Sequence, residues 1–217
     1  MCGRYALALA GKLEGLPFTE DSAQLEIELP WESYNIAPGS QAPILDSDER
    51  LKLALWGLIP HWSKEPPKRP LFNARSETAA SKPSFRTAYA RHRCAVPASG
   101  FYEWEKVGPK TRKPYYMAAG SGPLLWLAGL ASDWSGPDGG SLSTFCILTR
   151  CSAGTPVEKL HDRCPVTLSE EEILSWLKGE VSHRDLSPPQ FLPPVAVHPN
   201  VNRAKHDSPQ NILPLTP

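Results

Sequence analysis

The sequence predicts an α+β fold: a single domain with a mainly antiparallel, curved, barrel-like sheet and a few flanking helices. Short apolar runs separated by turn residues dominate the chain, which indicates many short strands. The 24 prolines are about twice the usual share and are scattered between these runs, so irregular connections are expected rather than one disordered tract. The 217 residues suffice to bury a substantial core as one domain over residues 1–217.

Three pairs of strands are predicted from apolar runs on either side of turns. The first pair flanks the polar turn at residues 46–49 within QAPILDSDERLKLALWGLIP. In the second pair, FYEWEKV alternates in polarity, GPKTRKP turns, and YYMAA returns as the partner strand of a hairpin. The continuous apolar runs LLWLAGLAS and STFCILTR indicate two buried strands around the Gly-rich loop DWSGPDGG.

Helical signals are fewer. The segment LSEEEILSWLKG has a capping box formed by Ser169 and Glu172, an apolar face, and Gly179 as its stop. PSFRTAYARHR is a second helix candidate, and residues 19–29 are a third. From about residue 186 the chain is rich in proline and asparagine, with one strand predicted at residues 195–198.

Charge and cysteine content narrow the function classes. The charges of the 23 basic and 23 acidic residues cancel, which argues against non-specific binding of nucleic acid over a broad basic surface. A local basic cleft remains compatible with zero net charge. The five cysteines are odd in number and form no CxxC pair, so neither a disulfide framework nor a structural zinc site is predicted. Without a signal peptide or an apolar run of about 18 residues, a cytoplasmic protein is expected.

The second residue of the chain is a cysteine, and this position gives it unusual chemistry. Methionine is usually removed before a small residue, so Cys2 is expected to carry the free terminal amine. A terminal amine has a pKa of about 7.7–8.0 and is partly neutral at physiological pH. It can attack an aldehyde to give a Schiff base, and the thiol can then close a five-membered thiazolidine ring. The same residue could also serve as an N-terminal nucleophile in acyl transfer.

Three polar segments supply candidate partners for this cysteine. LFNARSET offers Asn73 and Arg75, although an asparagine in such a loop is more often a turn former. GFYEW places Glu103 among aromatic residues, where desolvation would raise its pKa toward neutrality; an exposed strand carboxylate is an equally good interpretation. KLHDRCPV contains His161, a possible proton shuttle, and Arg163, a possible phosphate ligand, but a plain surface loop is the alternative.

Six motifs in order, MCGRY, YNIAPG, WGLIPHW, FNARSET, GFYEW and HDRCPV, resemble those of the SRAP family, named for SOS-response-associated peptidase. The resemblance runs from Cys2 to at least Val166, and the segment from about residue 186 fits loosely. It implies an α+β domain with a positively lined groove for single-stranded DNA. It also implies a crosslinking, lyase-type activity in the DNA damage response. The terminal amine attacks the aldehyde of an abasic site, the thiol closes the thiazolidine, and the lesion is shielded.

The resemblance also assigns roles to individual residues. The residues that carry the implied chemistry are Cys2 as the crosslinking nucleophile, Asn73 as support for its amine, Glu103 as the acid/base residue, and His161, which assists ring closure and reversal. The residues implied to contact DNA are Arg4, Asn35, Pro38, Trp62, Arg75 and Arg163. The implied partner is single-stranded DNA containing abasic sites, bound by a monomer that joins the nucleoid with its DNA. No metal, cofactor or membrane is implied.

Two other functions remain open on the sequence. A thiol peptidase or amidohydrolase could use Cys2 as its nucleophile, and the family name implies an autoproteolysis that exposes this cysteine. A non-covalent module for single-stranded DNA would need no terminal thiol and would bind in a salt-sensitive manner. Family members often have another residue at the position of Cys164, so this chain is expected to have a second thiol near the site.

Overall fold

The computed structural model describes residues 2–9, 31–120, 122 and 124–215. The strands are β1 (Tyr5–Leu9), β2 (Trp31–Ile36), β3 (Gln41–Leu45), β4 (Leu51–Trp56), β5 (Asn73–Arg75), β6 (Arg93–Ala98), β7 (Gly100–Lys106), β8 (Arg112–Ala118), β9 (Leu125–Ser135), β10 (Ser141–Cys151), β11 (Arg163–Pro165), β12 (Thr167–Leu168) and β13 (Val195–Ala196). The helices are α1 (Ser76–Ala79), α2 (Arg86–Arg91) and α3 (Glu170–Leu177), with 3-10 turns at Pro199–Asn202 and Pro209–Ile212.

Five strands close into a barrel. β4 pairs with β3, β3 with β6, β6 with β9 and β9 with β10, and β10 returns to pair with β4. All these contacts are antiparallel except the one between β10 and β4. Closure protects the strand edges, and large side chains such as Trp56 and Phe145 stack in the buried core. The predicted curved, mainly antiparallel sheet is confirmed.

The three predicted strand pairs are present as β3–β4, β7–β8 and β9–β10. β9 and β10 are the longest of the described strands, and both have a central run of buried residues, as the continuous apolar runs predict. The strand predicted near the C-terminal end is β13, which pairs with β8.

Two of the predicted helices are confirmed, and the third, at residues 19–29, lies outside the described residues. In α3 the capping box forms as predicted, with the Ser169 backbone N–H donating to Glu172 Oε2 at 2.8 Å. α2 is shorter than its sequence pattern because the chain enters β6 at Arg93. None of the helices in the described part of the chain is long and apolar enough to span a bilayer.

A second sheet, with the strand order β13-β8-β7-β1-β2, positions the candidate site. In the antiparallel register between β1 and β7, Tyr5 lies opposite Phe101. The Tyr102 N–H also donates to the backbone oxygen of Arg4 at 3.0 Å. Continuing this register toward the N-terminus brings the residues before β1 alongside Glu103. The chain start therefore lies next to the strand that carries the candidate acid/base residue.

Candidate active site around Cys2

Cys2 lies just before β1 and has no exposed surface. The side-chain Nδ2 of Asn73 donates to the backbone oxygen of Cys2 at 2.7 Å. Asn73 begins β5 and pairs with Ile147 of β10, so its amide is fixed by the barrel wall. Its Oδ1 is buried and accepts no hydrogen bond from the described residues. The amide thus anchors the Cys2 backbone and keeps one acceptor free in the site.

The Cys2 sulfur is held as a neutral thiol. Burial raises the pKa of this thiol far above its ordinary value, and the charge of Glu103 raises it further. A hydrogen bond from the backbone N–H of Arg4 has the opposite effect. Cys164 is also buried, belongs to the same hydrophobic cluster, and adds a smaller upward effect on the Cys2 pKa. At neutral pH the sulfur needs a base to take its proton before it reacts.

Glu103 is the acidic residue whose charge acts on the Cys2 thiol. Its side chain is buried in β7, with 3% of the residue exposed, and burial raises its pKa to about 7. The carboxylate of Asp162 adds to this upward shift. Of the two interpretations open on the sequence, the desolvated carboxyl is therefore confirmed. Glu105, two residues along, is only half-buried and accepts a hydrogen bond from Tyr115 Oη at 2.9 Å.

His161 lies in the loop between β10 and β11, beside the carboxylate of Asp162. Its Nδ1 is 2.8 Å from Asp162 Oδ1 and accepts a hydrogen bond from the backbone N–H of Arg163 at 3.0 Å. Burial lowers the pKa of His161 below its ordinary value, although Asp162 opposes this. The contact with Asp162 needs a proton on Nδ1, whereas the hydrogen bond from the Arg163 N–H needs Nδ1 without one. The lowered pKa of His161 favours the neutral ring, with Nδ1 as the acceptor. The imidazole then carries its proton on Nε2.

Arg4 and Asn35 form one network with the C-terminal segment. Arg4 Nη1 donates to Asn35 Oδ1 at 2.6 Å and to the backbone oxygen of Val201 at 2.8 Å. Asn35 Nδ2 donates to the backbone oxygens of Arg203 at 3.0 Å and His206 at 2.7 Å. Asn35 is 4% exposed, so its amide ties β2 to the C-terminal segment. The polar atoms of Asn35 are bonded within the fold, and its place on the DNA path remains a prediction.

Comparison with known proteins identifies the family. The sequence model described as SOS response associated peptidase (SRAP) matches residues 1–203. The chain belongs to the SRAP family. The abasic site processing protein YoqW of Bacillus subtilis (strain 168) is 36% identical over 195 residues, which cover 85% of this chain and 84% of that protein. The abasic site processing protein YedK of Escherichia coli (strain K12) is 32% identical, with coverage of 86% and 84%.

The same likeness extends to solved structures. An X-ray crystal structure of a protein from Bacteroides thetaiotaomicron matches with a TM-score of 0.73 at 25% identity, covering 84% of this chain and 85% of that one. A second, from Bordetella bronchiseptica, has a TM-score of 0.73 at 23% identity, with coverage of 91% and 100%. The SRAP resemblance inferred from the six sequence motifs is therefore confirmed.

In this SRAP chain Arg163 is engaged within the fold. Its Nη1 and Nη2 donate to the two carboxylate oxygens of Glu77 at 2.8 and 2.9 Å, and Nη2 also donates to the backbone oxygen of Thr149. Only 12% of the Arg163 side chain is exposed. A bidentate pair of this kind holds α1 against β11 and β10. The guanidinium charge has a carboxylate partner here, and the phosphate contact of Arg163 remains a prediction.

Replacing Arg163 with alanine should mainly cost stability. Because the substitution leaves Glu77 without its partner, the free energy of unfolding should fall by about 1–3 kcal/mol. Thermal or denaturant unfolding measures this. Arg75→Ala is the matched control, because Arg75 is exposed at the end of β5 and its loss should change stability by less than about 0.5 kcal/mol. Equal losses in the two variants would contradict the structural role of Arg163.

Three predicted DNA contacts remain accessible in the SRAP fold. Arg75 is exposed, Pro38 is half-exposed in the turn after β2, and Trp62 is 57% exposed in the turn after β4. An exposed tryptophan of this size is suited to stack on an unpaired base. These three residues keep their predicted roles as candidates for DNA contact.

Asp162, which the sequence offers as a residue that orients His161, affects the pKa of both His161 and Glu103. The sequence predictions left other residues near the SRAP site unassigned. Lys110 and Arg112 were assigned only to a turn, although they belong to a cluster of basic residues next to an aromatic strand. Among the described residues, no group of three or more His, Cys, Asp or Glu side chains is placed to hold a metal ion.

Proposed function

We propose that this protein senses abasic sites in single-stranded DNA and joins itself to them covalently through Cys2, acting as a monomer. The observation that carries the proposal is the juxtaposition of Cys2 with a buried carboxyl whose pKa is about 7 and with the Asn73 amide that holds its backbone. The relatives named abasic site processing proteins support the same substrate. Abasic sugars open to an aldehyde, which is the group that a cysteine amine and thiol capture together.

The proposed reaction is a condensation without oxidation or reduction. The nitrogen of Cys2 attacks the aldehyde carbon, and the oxygen leaves as water to give an imine. The Cys2 sulfur then adds to the imine carbon, and the thiol proton is transferred to the ring nitrogen through Glu103. One C–N and one C–S bond form, and one water molecule is released. Because the pKa of Glu103 is about 7, both of its protonation states are populated at neutral pH, as proton transfer in both directions requires.

Removal of Met1 is required for this chemistry. While Met1 is attached, the nitrogen of Cys2 belongs to an amide and is not nucleophilic. Once it is free, the amine can donate to the buried Asn73 Oδ1, which has no partner among the described residues. That contact would aim the nitrogen lone pair, and the bond from Asn73 Nδ2 to the Cys2 oxygen would keep the residue from rotating.

His161 and the accessible polar residues complete the proposal. A neutral imidazole with its proton on Nε2 can donate to the departing oxygen or return a proton during reversal. Arg75 contacts a backbone phosphate, and Trp62 and Pro38 guide the unpaired strand. Zero net charge limits these contacts to a local path rather than a general affinity for DNA.

A thiol peptidase is less well supported by the same site. Peptide hydrolysis by cysteine needs a thiolate, which is favoured by nearby positive charge and partial exposure. Here Cys2 is fully buried, and burial together with the charge of Glu103 raises its pKa. Thiazolidine formation starts instead from the amine, and the sulfur reacts only once the imine carbon is held next to it.

The test is incubation of the purified protein, with Met1 removed, with single-stranded oligonucleotides, followed by denaturing electrophoresis. An oligonucleotide containing an abasic site should give a slowly migrating adduct without any added reductant. An intact oligonucleotide and one whose abasic aldehyde has been reduced to an alcohol should give none. An adduct with either control, or no adduct with the abasic strand, would refute the proposed function.

A further inference from the structure

Arg4 contacts the Cys2 sulfur through its backbone. Its N–H donates to the sulfur, and its backbone oxygen accepts a hydrogen bond from the Tyr102 N–H at 3.0 Å. Only Gly3 separates Arg4 from Cys2, and a glycine has no side chain to limit the rotation of the backbone between them. The position of the Arg4 N–H therefore depends on what holds the rest of Arg4.

The Arg4 side chain is held by two neutral oxygens. Its Nη1 donates to Asn35 Oδ1 at 2.6 Å and to the backbone oxygen of Val201 at 2.8 Å. The guanidinium also lies 5.8 Å from the centre of the Trp104 ring, which supports one face of it without accepting a hydrogen bond. Between described residues, no ion pair involves Arg4. Asn35 is thus the described side chain that accepts from this guanidinium.

Asn35 is fixed in turn by the C-terminal segment. Its Nδ2 donates to the backbone oxygens of Arg203 at 3.0 Å and His206 at 2.7 Å, and the residue is buried. A guanidinium only donates and a carbonyl only accepts, so the amide must turn its oxygen to Arg4 and its nitrogen to the segment. Aspartate at this position would keep the acceptor and lose both donors, and alanine would lose all three.

We propose that Asn35 is a positioning residue for closure of the thiazolidine ring: by holding the Arg4 side chain, it keeps the Arg4 N–H on the Cys2 sulfur. The inference rests on the proposed function, because closure follows capture of the aldehyde by the Cys2 nitrogen. In that step the C–S bond forms and the thiol proton passes to the ring nitrogen. The sulfur must lie within about 3–3.5 Å of the imine carbon and be aligned for attack. Imine formation uses only the nitrogen, so loss of Asn35 should slow the second bond and spare the first.

Asn35→Ala tests the inference when the two adducts are measured separately. Protein with Met1 removed is mixed with a saturating abasic oligonucleotide, and samples are denatured with and without borohydride. Adduct that needs borohydride to survive is imine, and adduct that is stable without it is thiazolidine. In Asn35→Ala the thiazolidine should form roughly tenfold more slowly, the effect of losing one hydrogen bond to a charged group. The imine should appear at the wild-type rate and accumulate.

Asp207→Ala is the matched control for a loosened C-terminal segment. The Asp207 carboxylate also ties β2 to this segment, because it accepts from the Tyr34 N–H at 2.5 Å and from Ser33 Oγ at 2.7 Å. Among the described contacts, no hydrogen bond or ion pair joins it to Arg4. Asp207→Ala should therefore form imine and thiazolidine in the wild-type ratio.

Asn35→Asp separates the contact with Arg4 from the contact with the segment. It keeps an acceptor for the guanidinium and loses the amide donors, so closure should stay within about threefold of wild type even where stability falls. Arg4→Met breaks the same contact from the other side and decides the question if Asn35→Ala does not fold. Methionine loses the guanidinium but keeps an apolar stem, and this variant too should accumulate imine at saturating DNA.

Two results would overturn the inference. One is ring closure at the wild-type rate in Asn35→Ala, or in Arg4→Met where that variant takes its place. The other is an accumulation of imine in Asp207→Ala or Asn35→Asp that equals the accumulation in Asn35→Ala, since a loosened segment would then explain the defect.

A small aldehyde separates this inference from the proposed function. Glycolaldehyde can form the same two adducts at Cys2 without DNA, and mass spectrometry after borohydride treatment distinguishes them by the hydrogen atoms added to the imine. If wild-type protein forms no adduct with abasic DNA but Asn35→Ala still shifts the glycolaldehyde product toward imine, the crosslinking function fails and the positioning role stands. If DNA adducts form normally and the variant gives the wild-type product ratio with both aldehydes, only the positioning role fails.

Discussion

Replacing Cys2 with alanine is expected to abolish the denaturation-resistant adduct with abasic single-stranded DNA. Cys2 contributes both atoms that bond to the sugar carbon, and alanine retains only the nitrogen. Without sulfur the reaction stops at an imine, which hydrolyses when the protein is denatured. Gel electrophoresis without reductant should therefore show no adduct. Addition of borohydride to the variant should recover one, because the terminal amine is still present to form the reducible imine.

Cys151→Ala is the control for a general thiol effect. Cys151 is the exposed cysteine among the described residues, and it would be the first to react if accessibility decided the outcome. Its loss should leave the adduct yield unchanged. A Cys2→Ala variant that still gives adducts stable without reductant would remove this residue from the mechanism.

Glu103→Gln is expected to slow crosslinking by roughly 10²–10⁴-fold, the usual effect of losing a general acid/base. Glutamine keeps the shape and the burial of the side chain but can neither take the thiol proton nor return it. Single-turnover adduct formation at saturating DNA measures the loss. Glu105→Gln on the same strand is the matched control, since Glu105 is half-buried and its carboxylate accepts a hydrogen bond from Tyr115 Oη. Its rate should remain within about twofold of wild type.

The same variant should be more stable than wild type at neutral and higher pH. The pKa of Glu103 is about 7 in the fold, above its ordinary value of 4.5, so the folded state binds the extra proton. Stability from this group is present below pH 4.5 and is lost as pH rises toward 7. The ionised carboxylate then costs up to about 3 kcal/mol, which glutamine avoids. Denaturant unfolding at pH 5 and pH 8 measures this. A variant that loses activity and stability together at pH 8 would indicate structural damage instead.

The sequence predicted the architecture well where local patterns decide it. Apolar runs on either side of turns gave the three strand pairs, and the Ser169–Glu172 capping box gave α3. Strands such as β1 and β5 were not predicted, because each is short and pairs with a strand that is far away in the sequence. Tertiary pairing of this kind leaves little signal in a local window.

The candidate site was predictable in its members but not in their surroundings. The six motifs supplied Cys2, Asn73, Glu103 and His161, and the structure gathers Cys2, Asn73 and Glu103 through the pairing of β1 with β7 and β5 with β10. Sequence could not show that Arg163 is paired with Glu77, because the two are far apart in the chain. The sequence also could not show that Asn35 is buried against the C-terminal segment, because Asn35 and His206 are far apart in the chain.

Mass spectrometry of the crosslinked N-terminal peptide shows whether Cys2 is joined to the sugar through both its nitrogen and its sulfur. After reaction with an abasic oligonucleotide and digestion of both polymers, we expect a peptide that lacks Met1 and begins at Cys2. It should carry the sugar remnant with the loss of one water, and its sulfur should resist alkylation because both the nitrogen and the sulfur are bound in the ring. A peptide that retains Met1, a sulfur that still alkylates, or a remnant on any other residue would contradict the account.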